Sequence, residues 1–211
     1  MIAESEDNMV YIVGIGPGNK EYMLNRAISV LTEADIIIGF KRAIESIGFI
    51  KKYKLIANNL QDILKFIEEN DDKNVAVIAS GDPLFYGIGE YIEKNYKGNI
   101  SIVPGISSFQ YMMGKLCKAW QRAHLGSLHG RDEDFIKGVK ENKISIWLTD
   151  NKNTPQVMCK RLIKEEIKAT VYIGENLSYE DERINFGNPE QFVQGKFDNL
   201  TVVVIENDYK G

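Results

Sequence analysis

Three turns rich in glycine and proline carry the first chemistry in this chain. They are Gly14-Ile15-Gly16-Pro17-Gly18, Gly81-Asp82-Pro83-Leu84-Phe85-Tyr86-Gly87 and Val103-Pro104-Gly105-Ile106-Ser107-Ser108. Each ends a short run of β-branched residues. Glycine lets the backbone turn sharply and approach a ligand closely. A helix opening just beyond such a turn offers free N–H groups. Asp82 can accept from ribose hydroxyls, or cap a helix with Pro83 at its first position. Ser107 and Ser108 can cap a helix or bond a ligand. Three such turns at three strand ends would converge on one face of one sheet, and the carboxyl ends of strands are where open α/β sheets bind ligands.

The first turn comes close to a dinucleotide fingerprint, but the third glycine position is Asn19. The fingerprint also needs an acid after the second strand. That strand ends in Gly39-Phe40-Lys41-Arg42 instead. Lys41 and Arg42 can meet an NADP phosphate, so an NADP-dependent reductase stays open. A solvated helix start is the plainer account of the pair. In the second half, Ser127-Leu128-His129-Gly130-Arg131 places His129 and Arg131 two apart. A guanidinium fork matches a carboxylate, so this pair is a candidate grip for an acidic ligand. His124 and His129 are the two histidines, and neither HExxH nor CxxC occurs, so no metal site is expected. Cys117 and Cys159 are isolated and read as buried thiols in a reducing cytoplasm.

The elements that must position these residues alternate. Val10–Val13, Ile36–Ile38, Leu55–Ala57, Val75–Ala79 and Ile100–Val103 read as buried strands, short and rich in Val and Ile. Met23–Leu31, Asp62–Glu69, Leu84–Ile92 and Phe109–Leu116 have helical apolar spacing. This alternation predicts an α/β fold whose first sheet is mainly parallel. Further strands are expected at Ala123–Ser127, Ile144–Leu148, Thr170–Ile173, Arg183–Phe186 and Leu200–Ile205. Helices are expected at Asp134–Val139, from Thr154-Pro155 to Lys164, and briefly after Asn188-Pro189. So many elements in 211 residues make two α/β domains, placed here at 9–118 and 119–211. Residues 1–8 read as a disordered lead-in without a signal peptide's basic flank or apolar stretch. The net charge of −4 is spread evenly over the two halves. That disfavours nucleic acid, which calls for a basic stripe. No apolar run approaches the ~20 residues of a membrane span.

Taken in order, Val13–Gly18, Gly81–Gly87 and Val103–Ser108 resemble the hallmarks of the tetrapyrrole methylase family. The resemblance runs from Met9 to Ile205. Gly39–Arg42 and Ser127–Arg131 resemble the branch that methylates carbon 5 of a corrin precursor. The resemblance implies two α/β domains with an active-site cleft between them and S-adenosylmethionine as cofactor. Carried over by position, the cofactor contacts are Pro17, Ser80, Gly81, Asp82, Phe85, Ser107, Ser108, Leu148, Thr149 and Gly174. Leu148-Thr149-Asp150 stands where some relatives have Met-Gly. Lys41, Arg42, His129 and Arg131 are the candidates to hold the macrocycle's carboxylates. No general base stands out, and direct displacement at a sulfonium methyl requires none. The resemblance also implies a cytoplasmic homodimer with a small-molecule substrate and no membrane or nucleic-acid partner. Carbon-15 methylation and decarboxylation fall to a separate protein. The alternatives are a methylase for another precorrin position, a family relative acting on RNA or a modified histidine, the NADP reductase, and a non-catalytic S-adenosylmethionine-binding module.

Overall fold

The computed structural model describes residues 8–130, 133–199 and 201–209. The chain forms two compact units that divide between Ser107 and Ser108.

The first unit holds five strands, β1 (Val10–Gly14), β2 (Ile36–Phe40), β3 (Tyr53–Ala57), β4 (Val75–Ala79) and β5 (Ile100–Val103). Their order is β3-β2-β4-β1-β5, and every pairing is parallel. Continuous apolar runs suit a sheet covered on both faces, and all of Val75–Ala79 is buried. Alternate side chains feed two cores. On one face Val13, Ile37 and Ile78 pack with Ala27, Val30 and Leu31 of α1 (Asn25–Glu33) and Ile44 of α2 (Lys41–Ser46). On the other, Ile12, Ile38 and Val77 pack with Ile63 and Ile67 of α3 (Leu60–Glu68) and Ile92 of α4 (Gly89–Asn95).

Three details depart from the sequence expectation. Asn8, expected in the lead-in, is already tied down. Its Nδ2 donates to the Asp71 carbonyl at 2.9 Å; residues 1–7 lie outside the described residues. The first turn does not run into a helix. It leads to a 3₁₀ turn at Lys20–Tyr22, where Asn19 Oδ1 accepts from Glu21 N, and α1 begins only at Asn25. The helix expected from Leu84 begins at Gly89. Asp82 Oδ1 accepts from Leu84 N at 2.8 Å, and a side chain that bonds nearby backbone competes with helix. Tyr86 then takes a φ of 51°, which no helix contains. Lys41 and Arg42 do open a helix, the short α2.

The second unit comprises α5 (Ser108–Lys115), β6 (His124–Ser127), α6 (Phe135–Glu141), β7 (Ile144–Leu148), α7 (Pro155–Lys164), β8 (Ala169–Glu175), β9 (Arg183–Gly187) and β10 (Thr201–Asn207). The order is β6-β7-β10-β8-β9, parallel between β6 and β7 and antiparallel elsewhere. Trp147 is fully buried at its centre. Phe135 meets that ring edge-on at 5.2 Å, and His124 lies against it at 5.0 Å. Gly126 clears a space for it, since a Cβ there would fall 2.3 Å from the ring. Trp120 is partly exposed, its ring edge-on to Phe109 at 5.2 Å. The boundary expected at residues 118 and 119 falls earlier because α5 belongs to this unit. Met112 and Met113 are fully buried, Lys115 Nζ lies 3.2 Å from Glu182, and Lys118 Nζ lies 2.7 Å from Glu206.

Candidate functional site

A parallel sheet sends every strand's carboxyl end to the same edge. In the first unit that edge gathers Pro17, Ser80, Gly81, Asp82, Phe85 and Ser107 from the loops after β1, β4 and β5, with Lys41 and Arg42 after β2. The loops after β1, β4 and β5 lock together through backbone. Gly16 and Gly81 exchange hydrogen bonds at 3.3 and 2.8 Å, and Ile15 N donates to Ala79 O at 2.9 Å. A Cβ on Gly105 would fall 2.1 Å from Gly81 O, and one on Gly14 would fall 2.6 Å from Gly105 N. Gly14 and Gly105 are therefore required by the backbone itself, where the sequence suggested close approach to a ligand. Asp82 completes the lock. Besides Leu84 N, its carboxylate accepts from Gly105 N at 3.1 Å. Asp82 thus staples the β4 turn to the β5 turn and caps no helix.

Around this lock Ser80 is exposed, Pro17 and Ser107 are buried, and the half-buried Phe85 ring meets Tyr86 edge-on at 4.9 Å. Ser108 opens α5, as a serine at a helix start suggested. Lys41 and Arg42 are exposed, and Lys41 Nζ lies 4.0 Å from Glu45 one turn on. The sheet order bears on the reductase alternative. A dinucleotide site needs the β1 turn beside the end of β2. Here β4 lies between them, which holds the two ends about 10 Å apart. The geometry of that fingerprint is missing.

In the second unit β6, β7 and β8 run the same way, so Ser127, Leu148 and Glu175 end at one edge, beside Thr201 at the start of β10. Leu148 is half-buried and its carbonyl accepts from Leu128 N at 2.9 Å. Thr149 is buried, and its Oγ1 donates to Thr201 O at 2.9 Å. Gly174 is buried with Met112 Sδ and Leu177 beside its Cα. His129 is exposed, with Nδ1 3.2 Å from Thr149 O. Arg131 lies outside the described residues.

Two carboxylates at this edge escaped the sequence reading. Asp150 accepts from Lys152 N at 2.9 Å, Asn153 N at 2.7 Å and Gly130 N at 3.2 Å. The Asn153 N–H above all, then Gly130 and Lys152, hold its pKa down to about 2 against a smaller desolvation penalty. The Asp-x-x-Asn spacing was available as a turn signature, but the link to Gly130 was not. Glu175 is almost fully buried and takes Arg183 Nη2 at 2.9 Å and Asp198 N at 3.0 Å. Arg183 is its cross-strand partner, visible only once β8 and β9 are paired. The cysteines divide. Cys159 is buried, and burial, with Glu190 adding, pushes its thiol up to about 12. Cys117 is exposed, against expectation, in the turn that ends α5, where its φ is 51°. Among the described residues no cluster of His, Cys, Asp and Glu could hold a metal, and no helix is long and apolar enough to cross a membrane.

Residues 9–192 match the profile of the tetrapyrrole (corrin/porphyrin) methylases. A Methanocaldococcus jannaschii protein named "Probable cobalt-precorrin-7 C(5)-methyltransferase" is 34% identical over 210 residues, covering 95% of this chain and 99% of that one. The crystal structure of a precorrin-6Y methylase of cobalamin biosynthesis from Archaeoglobus fulgidus superposes with a TM-score of 0.77 at 26% identity, covering 95% and 98%. The fold is shared, at 18% identity and a TM-score of 0.75 over 94% and 92%, with a uroporphyrin-III C-methyltransferase from Thermus thermophilus in complex with S-adenosylhomocysteine.

Two outcomes follow from these geometries. Gly105→Ala drives a methyl into a carbonyl oxygen that cannot move aside. The strain costs about 1–3 kcal/mol, and circular dichroism will show a lower denaturant midpoint; an unchanged midpoint refutes the backbone lock. For Asp150, the folded pKa lies below the unfolded value of about 3.9. Its contribution is complete above about pH 4 and is lost as pH falls toward 2. Melts of wild type and Asp150→Asn will therefore differ at pH 5 and converge near pH 2. A constant difference rejects the Asp150 cluster.

Proposed function

The chain belongs to the tetrapyrrole methylase family, and we propose that it transfers a methyl group from S-adenosylmethionine to carbon 5 of a cobalt-precorrin in cobalamin biosynthesis. The observation that carries this is the near end-to-end match to a relative named for carbon 5 alone. The same match supports leaving carbon-15 methylation and decarboxylation to a separate protein. The resemblance also supports a cytoplasmic homodimer.

The residues at the edge of the first sheet suit such a cofactor. The first edge offers the Ser80 and Ser107 hydroxyls, backbone amides and carbonyls, and the Phe85 ring. Those groups match a ribose, an amino-acid headgroup and an adenine, and no acid stands at the end of β2. Pro17, Ser80, Gly81, Asp82, Phe85, Ser107 and Ser108 hold it from the first sequence half, and Leu148, Thr149 and Gly174 from the second. When bound, the cofactor supplies an electrophilic methyl on a sulfonium. The protein's share is alignment and exclusion of water. Correct placement of two reactants can remove up to ~7–11 kcal/mol of barrier. No residue is assigned as general base. Lys41, Arg42, His129 and Arg131 bind the macrocycle's carboxylates.

Calorimetry will show S-adenosylmethionine binding and no tight NADPH binding; the reverse result overturns the assignment. Mass spectrometry of precursor, enzyme and ¹³C-methyl cofactor will show one added methyl, which NMR will place on carbon 5. A methyl on another carbon moves the protein to another branch, and cofactor binding without turnover makes it a binding module. Asp82→Ala removes the carboxylate that staples Gly105 to the β4 turn and will weaken cofactor binding as well as stability. A variant that melts lower but keeps wild-type cofactor affinity removes Asp82 from the binding set.

A further inference from the structure

We propose that Asp150 is a positioning residue for the substrate loop of the second unit, fixing Gly130 and through it the presentation of His129. This rests on the proposal that His129 meets a carboxylate of the macrocycle. Three of the hydrogen bonds on Asp150 are local, from Lys152 N, Asn153 N and, at 3.3 Å, Asn153 Nδ2. The fourth reaches twenty residues back to Gly130 N. Gly130 has a φ of 64°, and among the described residues nothing lies within 4 Å of where its Cβ would be. The Asp150 carboxylate is the hydrogen-bond partner that ties this residue to the loop after β7.

The neighbouring contacts point the same way. Leu128 N donates to Leu148 O, and Asn153 Nδ2 reaches Leu128 O at 3.4 Å. His129 Nδ1 faces Thr149 O at 3.2 Å. A carbonyl only accepts, so Nδ1 carries the hydrogen. A carboxylate also only accepts, so the exposed ring that meets one is the imidazolium, with Nδ1–H on Thr149 O and Nε2–H toward the ligand. Leu128, His129 and Gly130 are each tied to residues 148–153, and the tie at Gly130 is the one made by Asp150.

Asp150→Asn is the informative variant. An amide oxygen still accepts the Lys152 and Asn153 N–H groups, so the local turn survives. The second oxygen becomes an NH₂ that cannot accept from Gly130. In the full-length protein, the KM for the cobalt-precorrin should rise about tenfold, while kcat stays within about threefold. The dissociation constant for S-adenosylmethionine should stay within about twofold. Amide exchange at Gly130 should be slow in wild type and fast in the variant. His129→Phe should raise KM similarly, and the double variant should be no worse than the worse single one. A wild-type KM in Asp150→Asn, additive effects in the double variant, or fast Gly130 exchange in wild type each overturn the proposal. The wild-type exchange measurement holds even if the variant fails to fold. Failure of the wild-type protein to bind the precursor would instead overturn the proposed function, and this inference with it.

Discussion

Three strand ends of the first unit meet more closely than any side chain permits, and the candidate site is built on that meeting. Neighbouring strands in a sheet are fixed about 4.8 Å apart, but the loops beyond them are free to diverge. Here they do not. Gly14, Gly81 and Gly105 bring main chain against main chain, and one carboxylate ties the β4 turn to the β5 turn. The second unit solves the same problem with different residues. There a carboxylate just past β7 ties down the loop after β6. In both units an aspartate at a strand's carboxyl end holds the loop of another strand.

The sheet of the first unit was largely legible in the sequence. Strands buried on both faces are continuous apolar runs, and Val75–Ala79 keeps the bounds its composition suggests. The helix starts were less legible. Leu84–Ile92 has helical spacing, yet Asp82 bonds Leu84 N and a left-handed Tyr86 follows, so local side-chain bonding overrides periodicity. The unit boundary was misplaced for a different reason. Periodicity shows that α5 has an apolar face, but not which sheet that face covers.

The candidate site divides along the same line. Motifs that lie on consecutive residues were visible, and they pointed to the family that the relatives bear out. Their geometry was partly misread. The glycines of the first turn suggested contact with a ligand, and Gly14 is taken up instead by the backbone of Gly105. Asp150 and Glu175 were missed because their decisive partners, Gly130 and Arg183, lie across a loop or a strand pair. Residue spacing along a chain carries no record of such pairings.

The placement of the two tryptophans has an experimental consequence. Trp120 and Trp147 both belong to the second unit, one partly exposed and the other sealed among Phe135, His124 and Gly126. The first unit contains none. Intrinsic tryptophan emission is therefore an optical label for half the molecule. A red shift marks solvent reaching the Trp147 core, while melting confined to the parallel sheet leaves the spectrum dark to the event. Comparing emission with backbone dichroism on one sample thus tests whether the two units unfold together, without any added probe.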